Sequence, residues 1–518
     1  MRAAVGRSAD LVRVCNPNLG LRFRSTPGFT LSPDPQATGD LVQAYVRISS
    51  VLIATLVAFG SSMLVAPNRS STMRQTKQNS LATLGSVRLI TLAPGHFHAS
   101  LVQKMMYPQV APMVWVYSPP GSELDEHLQR VEAYNARANN PTRWQQQLYT
   151  DPDFFQKMLA DKPGNVVVIA GNNREKIDYI SGSLQAGLNV LADKPMCIDA
   201  AGFEKLKASF EIAERKHVLL YDIMTERYEI TTILQKALVN DRTVFGQLVK
   251  GSVDEPAVTK ESVHHFFKYV SGKPLRRPAW FFDTSQQGEG IVDITTHLVD
   301  LIQWESFPEQ TISLDDIKVL RARRWPTIVT REQFAQVTGL KDFPDYLRGA
   351  LNDQKSLLDY ANGEMNYTLK GVHARVSVIW NFEAPAGTGD THFSVMRGTN
   401  ANVIIRQGKE ENYRPELFVE AASLTEPEAL GAALLKAVRK LAATYPGLEV
   451  KGDGSGWQIL IPDQHRTDHE AHFGQVMEKF LTFLAEGKLP RWETPNTIAK
   501  YYTTIQALEL AQRTPVTW

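Results

Sequence analysis

An acid and an imidazole stand four residues apart in the run Gly288-Glu289-Gly290-Ile291-Val292-Asp293-Ile294-Thr295-Thr296-His297-Leu298. On a helix that spacing puts Asp293 and His297 on one face, while Ile291, Leu298, Leu301 and Ile302 offer apolar surface for packing. The run predicts a helix over 289–304, and such a pair on one face is how a proton-transfer site is often built. The glycines at its start leave room for a bulky neighbour. A buried Asp–His hydrogen bond that serves structure alone is the competing reading.

Other residues favour chemistry. Lys194 follows the apolar run 187–192 and precedes Pro195, which bars a helix from starting at the lysine. Ligands of open α/β sheets bind beyond the carboxyl ends of the strands, so Lys194, with Asp193 before it, is expected at a crevice. The turn Ala93-Pro94-Gly95-His96-Phe97-His98 follows a strand-like run over 87–92 and stands where dinucleotide folds carry Gly-x-Gly-x-x-Gly. Only the middle glycine is present, yet backbone N–H groups at such a turn suit a pyrophosphate. Gly171, Asn172 and Asn173 end another apolar run, 165–170. Ser118 stands after the strand-like run 113–117, where an acid would hold the ribose, and Glu123 and Asp125 are out of register. NAD and NADP are both left open.

Two histidine groups invite a metal reading, His465, His469 and His472 around Asp468, and the adjacent His264-His265. No cysteine or second acidic cluster completes a zinc set, and a solvated helix start with Asp468 at its positive end accounts for the first group. No metal is expected.

The elements that must position these residues alternate from 86 onward. Strand-like runs at 87–92, 113–117, 165–170, 187–192 and 217–221 are separated by helical stretches at 123–138, 176–186 and 203–215, which predicts a parallel sheet covered on both faces. Beyond 226 the period changes to two, at 372–380, 391–397 and 402–406, which predicts a mainly antiparallel open sheet framed by helices at 289–304, 428–443 and 469–485. The fold class is therefore α/β, with a Rossmann-type domain over 86–225, an α+β domain over 226–518 and an extension over 1–85.

With 518 residues and 43% hydrophobic content, the chain can bury a sizeable core. Lys+Arg 56 against Asp+Glu 55 creates no field for nucleic acid, so a small-molecule partner is expected. Cys15 and Cys197, far apart, exclude a disulfide framework. The segment 48–68 has no charged residue and is mostly apolar over 51–65, like a secretory h-region or a membrane tether, although it starts far from Met1. Export or membrane tethering is the expectation, with a cytoplasmic location as the alternative.

On Ala192-Asp193-Lys194-Pro195, similar to an E-K-P element, and on the glycine-rich Asp293-x-x-x-His297 segment, the chain resembles the Gfo/Idh/MocA oxidoreductases, in a subgroup with a distinct carboxyl-terminal domain. Asp193 replaces the usual Glu. The resemblance implies a nicotinamide dinucleotide, NAD or NADP, and a sugar or cyclic polyol as substrate. It implies that Lys194 bonds the reacting hydroxyl, His297 accepts its proton and Asp293 orients the imidazole or relays the proton. Glu226, Arg227 and Trp280 are further pocket candidates. Redox-neutral glycoside cleavage and non-catalytic carbohydrate or nucleotide binding are the alternatives. Apolar strands such as 376–380 suggest a homo-oligomer formed through the second sheet.

Overall fold

The computed structural model describes residues 84–513 except 271–272, 453 and 455. The signal-like segment at 48–68 lies outside the described residues. Among these residues no helix is long and apolar enough to cross a membrane.

Six parallel strands form the first sheet: β1 (Leu89–Leu92), β2 (Met113–Tyr117), β3 (Gln145–Tyr149), β4 (Val166–Ile169), β5 (Asn189–Asp193) and β6 (Leu220–Ile223). Their order is β3-β2-β1-β4-β5-β6, the doubly wound arrangement. Strands β1 and β4 are buried at every residue, which is why their sequences are continuous apolar runs. Strand β3 was not foreseen. Its sequence Gln-Gln-Gln-Leu-Tyr sits at the sheet edge and faces solvent, so it carries no apolar signal.

The remaining strands are β7 (Val258–Phe267), β8 (Tyr269–Val270), β9 (Lys273–Pro274), β10 (Ile317–Val329), β11 (Leu357–Leu369), β12 (Val372–Glu383), β13 (Thr391–Arg397), β14 (Ala401–Arg406), β15 (Glu416–Ala421), β16 (Glu449–Gly452) and β17 (Trp457–Leu460). β8 and β9 make a small ribbon, and the others a nine-stranded sheet in the order β10-β11-β12-β7-β13-β14-β15-β17-β16. All its neighbours are antiparallel except β7 and β12. Strand β7 thus separates two strands, β12 and β13, that are consecutive in sequence.

Two departures bear on the site. The helix expected over 289–304 runs instead from Thr295 to Ser306. The residues before it form tight turns against β11: Gly290 N–H donates to Tyr360 O at 3.0 Å, and a Cβ on Gly290 would lie 1.7 Å from Ala361 O. Backbone pressed on backbone there leaves no room for a helix to start. The second departure concerns the cover of the parallel sheet. After β1 the helix is only four residues, His98–Leu101, too short to bury one face. That face is completed by the distant helix His469–Glu486, whose Phe473, Val476, Phe480 and Phe483 pack with Leu89, Val168, Leu191 and Tyr221. The rings of Tyr221 and Phe480 stack with centroids 5.8 Å apart. The nucleotide-binding half therefore needs a segment from the far end of the chain.

Truncating that anchor tests the dependence. Phe480→Ala is expected to cost about 3–5 kcal/mol in urea unfolding, as for a large buried aromatic. A loss below about 1 kcal/mol would show that the helix is not part of this core.

Candidate active site

The carboxyl ends of β1, β4 and β5 open onto two adjoining cavities. The larger, about 960 Å³, is lined by Lys194, Asp293, His297, Asp193, Asn173 and Glu226 among others. The smaller, about 370 Å³, runs along Pro94, Gly95 and Glu123. Both share His96, Phe97, Leu275, Arg277, Trp280 and Phe281, so they adjoin along one channel.

Lys194 leaves the end of β5 and donates to Asp293 Oδ1 at 2.6 Å, while Gln287 donates to Asp293 Oδ2 at 2.9 Å. Burial alone would raise the Asp293 carboxyl, but the ammonium outweighs it and holds it below its ordinary value. The expected relay from Asp293 to His297 is corrected by this geometry. Both Asp293 oxygens are engaged by Lys194 and Gln287, and Nδ1 of His297 is buried without a hydrogen-bond partner. The acid precedes the helix instead of sharing its face, so the four-residue spacing does not bring the two groups together. Burial, and after it the Lys194 charge, lowers His297 to about 4 and leaves the imidazole neutral at pH 7.

Of the other expected residues, Gly95, His96, Phe97, His98, Gly171, Asn173 and Asp193 reach the channel. Ala93, Ser118, Asn172 and Pro195 are not on its walls. Ala93 holds a positive φ of 44° and ties the turn to Tyr117. The Ser118 hydroxyl donates to Pro119 O at 3.0 Å. Asn172 caps the helix Asn173–Gln185, and Pro195 is buried. Arg227 is also corrected as a substrate residue. Its guanidinium lies behind the cavity, bonded to both Asp300 oxygens at 2.6 and 2.7 Å and to Glu493 at 3.0 Å. Glu226 does face the cavity. Its Oε1 lies 3.3 Å from His469 Nδ1, and although burial opposes it, that histidine helps hold the carboxyl well below its ordinary value. Trp280 stands where the cavities meet and donates to Glu123 at 2.6 Å.

The histidines expected to be solvated divide. His465 bonds Pro446 O at 2.8 Å away from the cavity, whereas His469 and His472 line it. The far wall holds residues with no expected role: Ser262, His264, Lys268, Trp380, Asp390 and His392. His264 stacks on Trp380 with centroids 5.1 Å apart, and Asp390 accepts from Lys268 and lies 3.0 Å from His264 Nδ1. The pair His264-His265 was the one visible trace of this wall. Asp390, in a loop before β13, carries no local signal.

The channel fits a dinucleotide despite the degraded glycine pattern. The turn after β1 and the turn after β4 touch: a Cβ on Gly171 would lie 2.3 Å from Ala93 O and 3.1 Å from Gly95 N. His96 N–H donates to Ala170 O at 3.1 Å. Glycines at 95 and 171 thus provide the close approach that the usual triplet provides within one loop. Residues 94–97, Gly171, Asn173 and Asp193 would hold the cofactor.

Such a fold and cleft define a nicotinamide-dependent oxidoreductase. The family described as "Oxidoreductase family, NAD-binding Rossmann fold" matches residues 113–222, and that described as "Putative oxidoreductase C terminal domain" matches residues 234–512. A solved structure described as a "putative oxidoreductase from Parabacteroides merdae ATCC 43184" is 54% identical, covers 83% of this chain and 98% of its own, and superposes with a TM-score of 0.81. A levoglucosan dehydrogenase in complex with NADH and levoglucosan is 14% identical over 82% of this chain and 97% of its own, with a TM-score of 0.52, and shares the fold. An oxidoreductase structure from Thermotoga maritima, also described as "putative", is 14% identical over 82% of this chain and 98% of its own, at 0.53. No curated protein matches the sequence. The chain belongs to the Gfo/Idh/MocA oxidoreductases, in the branch with this carboxyl-terminal domain, and is an NAD(P)-dependent oxidoreductase.

The low value of His297 has a consequence for stability. A histidine whose folded pKa lies below its unfolded value withdraws stability as pH falls from about 6.5 toward 4, because the unfolded chain takes up a proton that the native site refuses. Between pH 7 and pH 5, His297→Gln is expected to lose less stability than the parent by about 1–2 kcal/mol in urea unfolding. Equal losses in the two proteins would refute the buried neutral imidazole.

Proposed function

We propose that this oxidoreductase transfers a hydride between its nicotinamide dinucleotide and a hydroxyl-bearing carbon of a sugar or cyclic polyol. The observation that carries the reading is the arrangement around Lys194. Its ammonium, fixed by Asp293 at 2.6 Å, and the neutral His297 occupy one cavity at the carboxyl end of β5. A hydride leaves a carbinol carbon only as the hydroxyl proton is removed. The neutral imidazole accepts that proton, and the ammonium stabilises the developing alkoxide. Hydride acceptance and return is what the nicotinamide ring brings when bound. The polar far wall, with Trp380 among hydrogen-bonding groups, and Trp280 where the cavities meet suit a polyhydroxylated ring, and levoglucosan in the structure of similar fold is such a ring.

The pair Glu226–His469 favours a second reading, redox-neutral glycoside cleavage. It places another ionised carboxylate and imidazole on the same cavity, one acid–base pair more than hydride transfer needs.

Nicotinamide absorbance on mixing with a panel of sugars, polyols and glycosides tests the first reading. His297→Gln and Lys194→Met are each expected to lower kcat/KM by about 10²–10⁴. Turnover unaffected by either change, or absent with the whole panel, would overturn it. Aglycone release without net reduced cofactor would select the second reading.

A further inference from the structure

His96 and His98 come from the turn after β1 and Asp193 from the carboxyl end of β5, and all three line the large cavity. His98 Nδ1 lies 2.9 Å and His96 Nδ1 3.4 Å from the same atom, Asp193 Oδ2. One donor atom from each residue lies within 4.8 Å of the others, and among the described residues this is the one group of three such side chains gathered so closely.

Hydrogen bonding accounts for half of this. The His98 distance is that of an ordinary bond, but the His96 distance exceeds the usual range of about 2.7–3.2 Å. Around an ion with nitrogen and oxygen ligands at about 2.0–2.2 Å, neighbouring donors stand roughly 3.3–3.6 Å apart in tetrahedral and roughly 2.8–3.1 Å apart in octahedral geometry. The His96 distance matches the first and the His98 distance the second, so an ion here takes an irregular ligand set. Of the charges nearby, the Lys194 ammonium is balanced by Asp293, while Lys176 bonds only neutral oxygens, the Asp193 carbonyl at 2.9 Å and Asn173, and leaves the Asp193 carboxylate to the two imidazoles.

We propose that His96, His98 and Asp193 form a site for a divalent transition-metal ion whose remaining coordination positions open on the large cavity. Two imidazoles and one carboxylate suit zinc, manganese, iron(II) or cobalt(II) better than magnesium or calcium, which prefer oxygen alone. An ion here is offered to an oxygen of whatever enters the cavity, within one residue of Lys194. The site stands on these three side chains and does not rest on the sugar reading; it shares His96 and Asp193 with the residues that would hold the dinucleotide, so ion and cofactor meet at this turn.

Cobalt(II) gives a direct readout. The full chain, treated with a chelator and dialysed, is titrated with CoCl₂ while visible absorption is followed. One equivalent is expected to bind with the ligand-field bands of a nitrogen-ligated ion, and ZnCl₂ is expected to displace it. His96→Ala, at the more exposed ligand, is expected to weaken binding at least tenfold, and His98→Gln likewise. Thermal melting identifies any variant that fails to fold, and His96→Ala decides if the buried His98 variant does so. The proposal is overturned if the parent takes up no stoichiometric ion. It is equally overturned if a folded His96→Ala protein binds cobalt as the parent does, or if only His469→Ala abolishes binding.

Discussion

The contact between Lys194 and Asp293 joins the parallel sheet to the turn that precedes the helix Thr295–Ser306. Its side chains are only 8% and 7% exposed. Removing two such charges from water is costly, several kcal/mol for each ion, and the cost is offset only when geometry is good and the remaining valences are satisfied. Here the separation is 2.6 Å and Gln287 occupies the second carboxylate oxygen. A small displacement of one half against the other would leave a buried charge unpaired. The pair therefore sets the register of the two halves at the point where their surfaces form the cleft.

A second buried network protects the same register from behind. Asp300, one turn beyond His297, binds Arg227 through both oxygens and accepts from Lys500 at 3.3 Å. Lys500 also reaches Asp222 at the end of β6 at 2.8 Å, and Tyr501 donates to that carboxylate at 2.9 Å. One helix thus carries His297 toward the cavity and Asp300 toward the core. The His297 imidazole is neutral because burial and the neighbouring ammonium both disfavour its charge. Lys194, the group that anchors the fold, thus adds to burial in keeping the base uncharged.

Much of this was legible in the chain itself. The parallel sheet followed from apolar runs alternating with helical stretches, because a strand buried on both faces cannot tolerate polar residues. Lys194 could be placed at the crevice because it follows such a run and precedes proline. The antiparallel strands β12, β13 and β14 followed from period two. Strand β3 was invisible because a solvent-facing edge needs no apolar residues. β7 was unread as a strand, and no local pattern announces an insertion between β12 and β13.

The sequence by itself determined the two kinds of sheet, the position of the nucleotide turn and the identity of Lys194 and His297 as chemical groups, since burial and strand ends leave a local trace in residue type. Tertiary structure alone decided the partners. Asp293 turned to Lys194 and not to His297 because the glycine turns against β11 delay the helix start. Arg227 was drawn behind the cavity by Asp300 and Glu493. His96 and His98 met Asp193, and His469 met Glu226, across separations that no periodicity spans. A side chain's neighbours in space depend on how distant backbones pack, and that information resides in the assembled core.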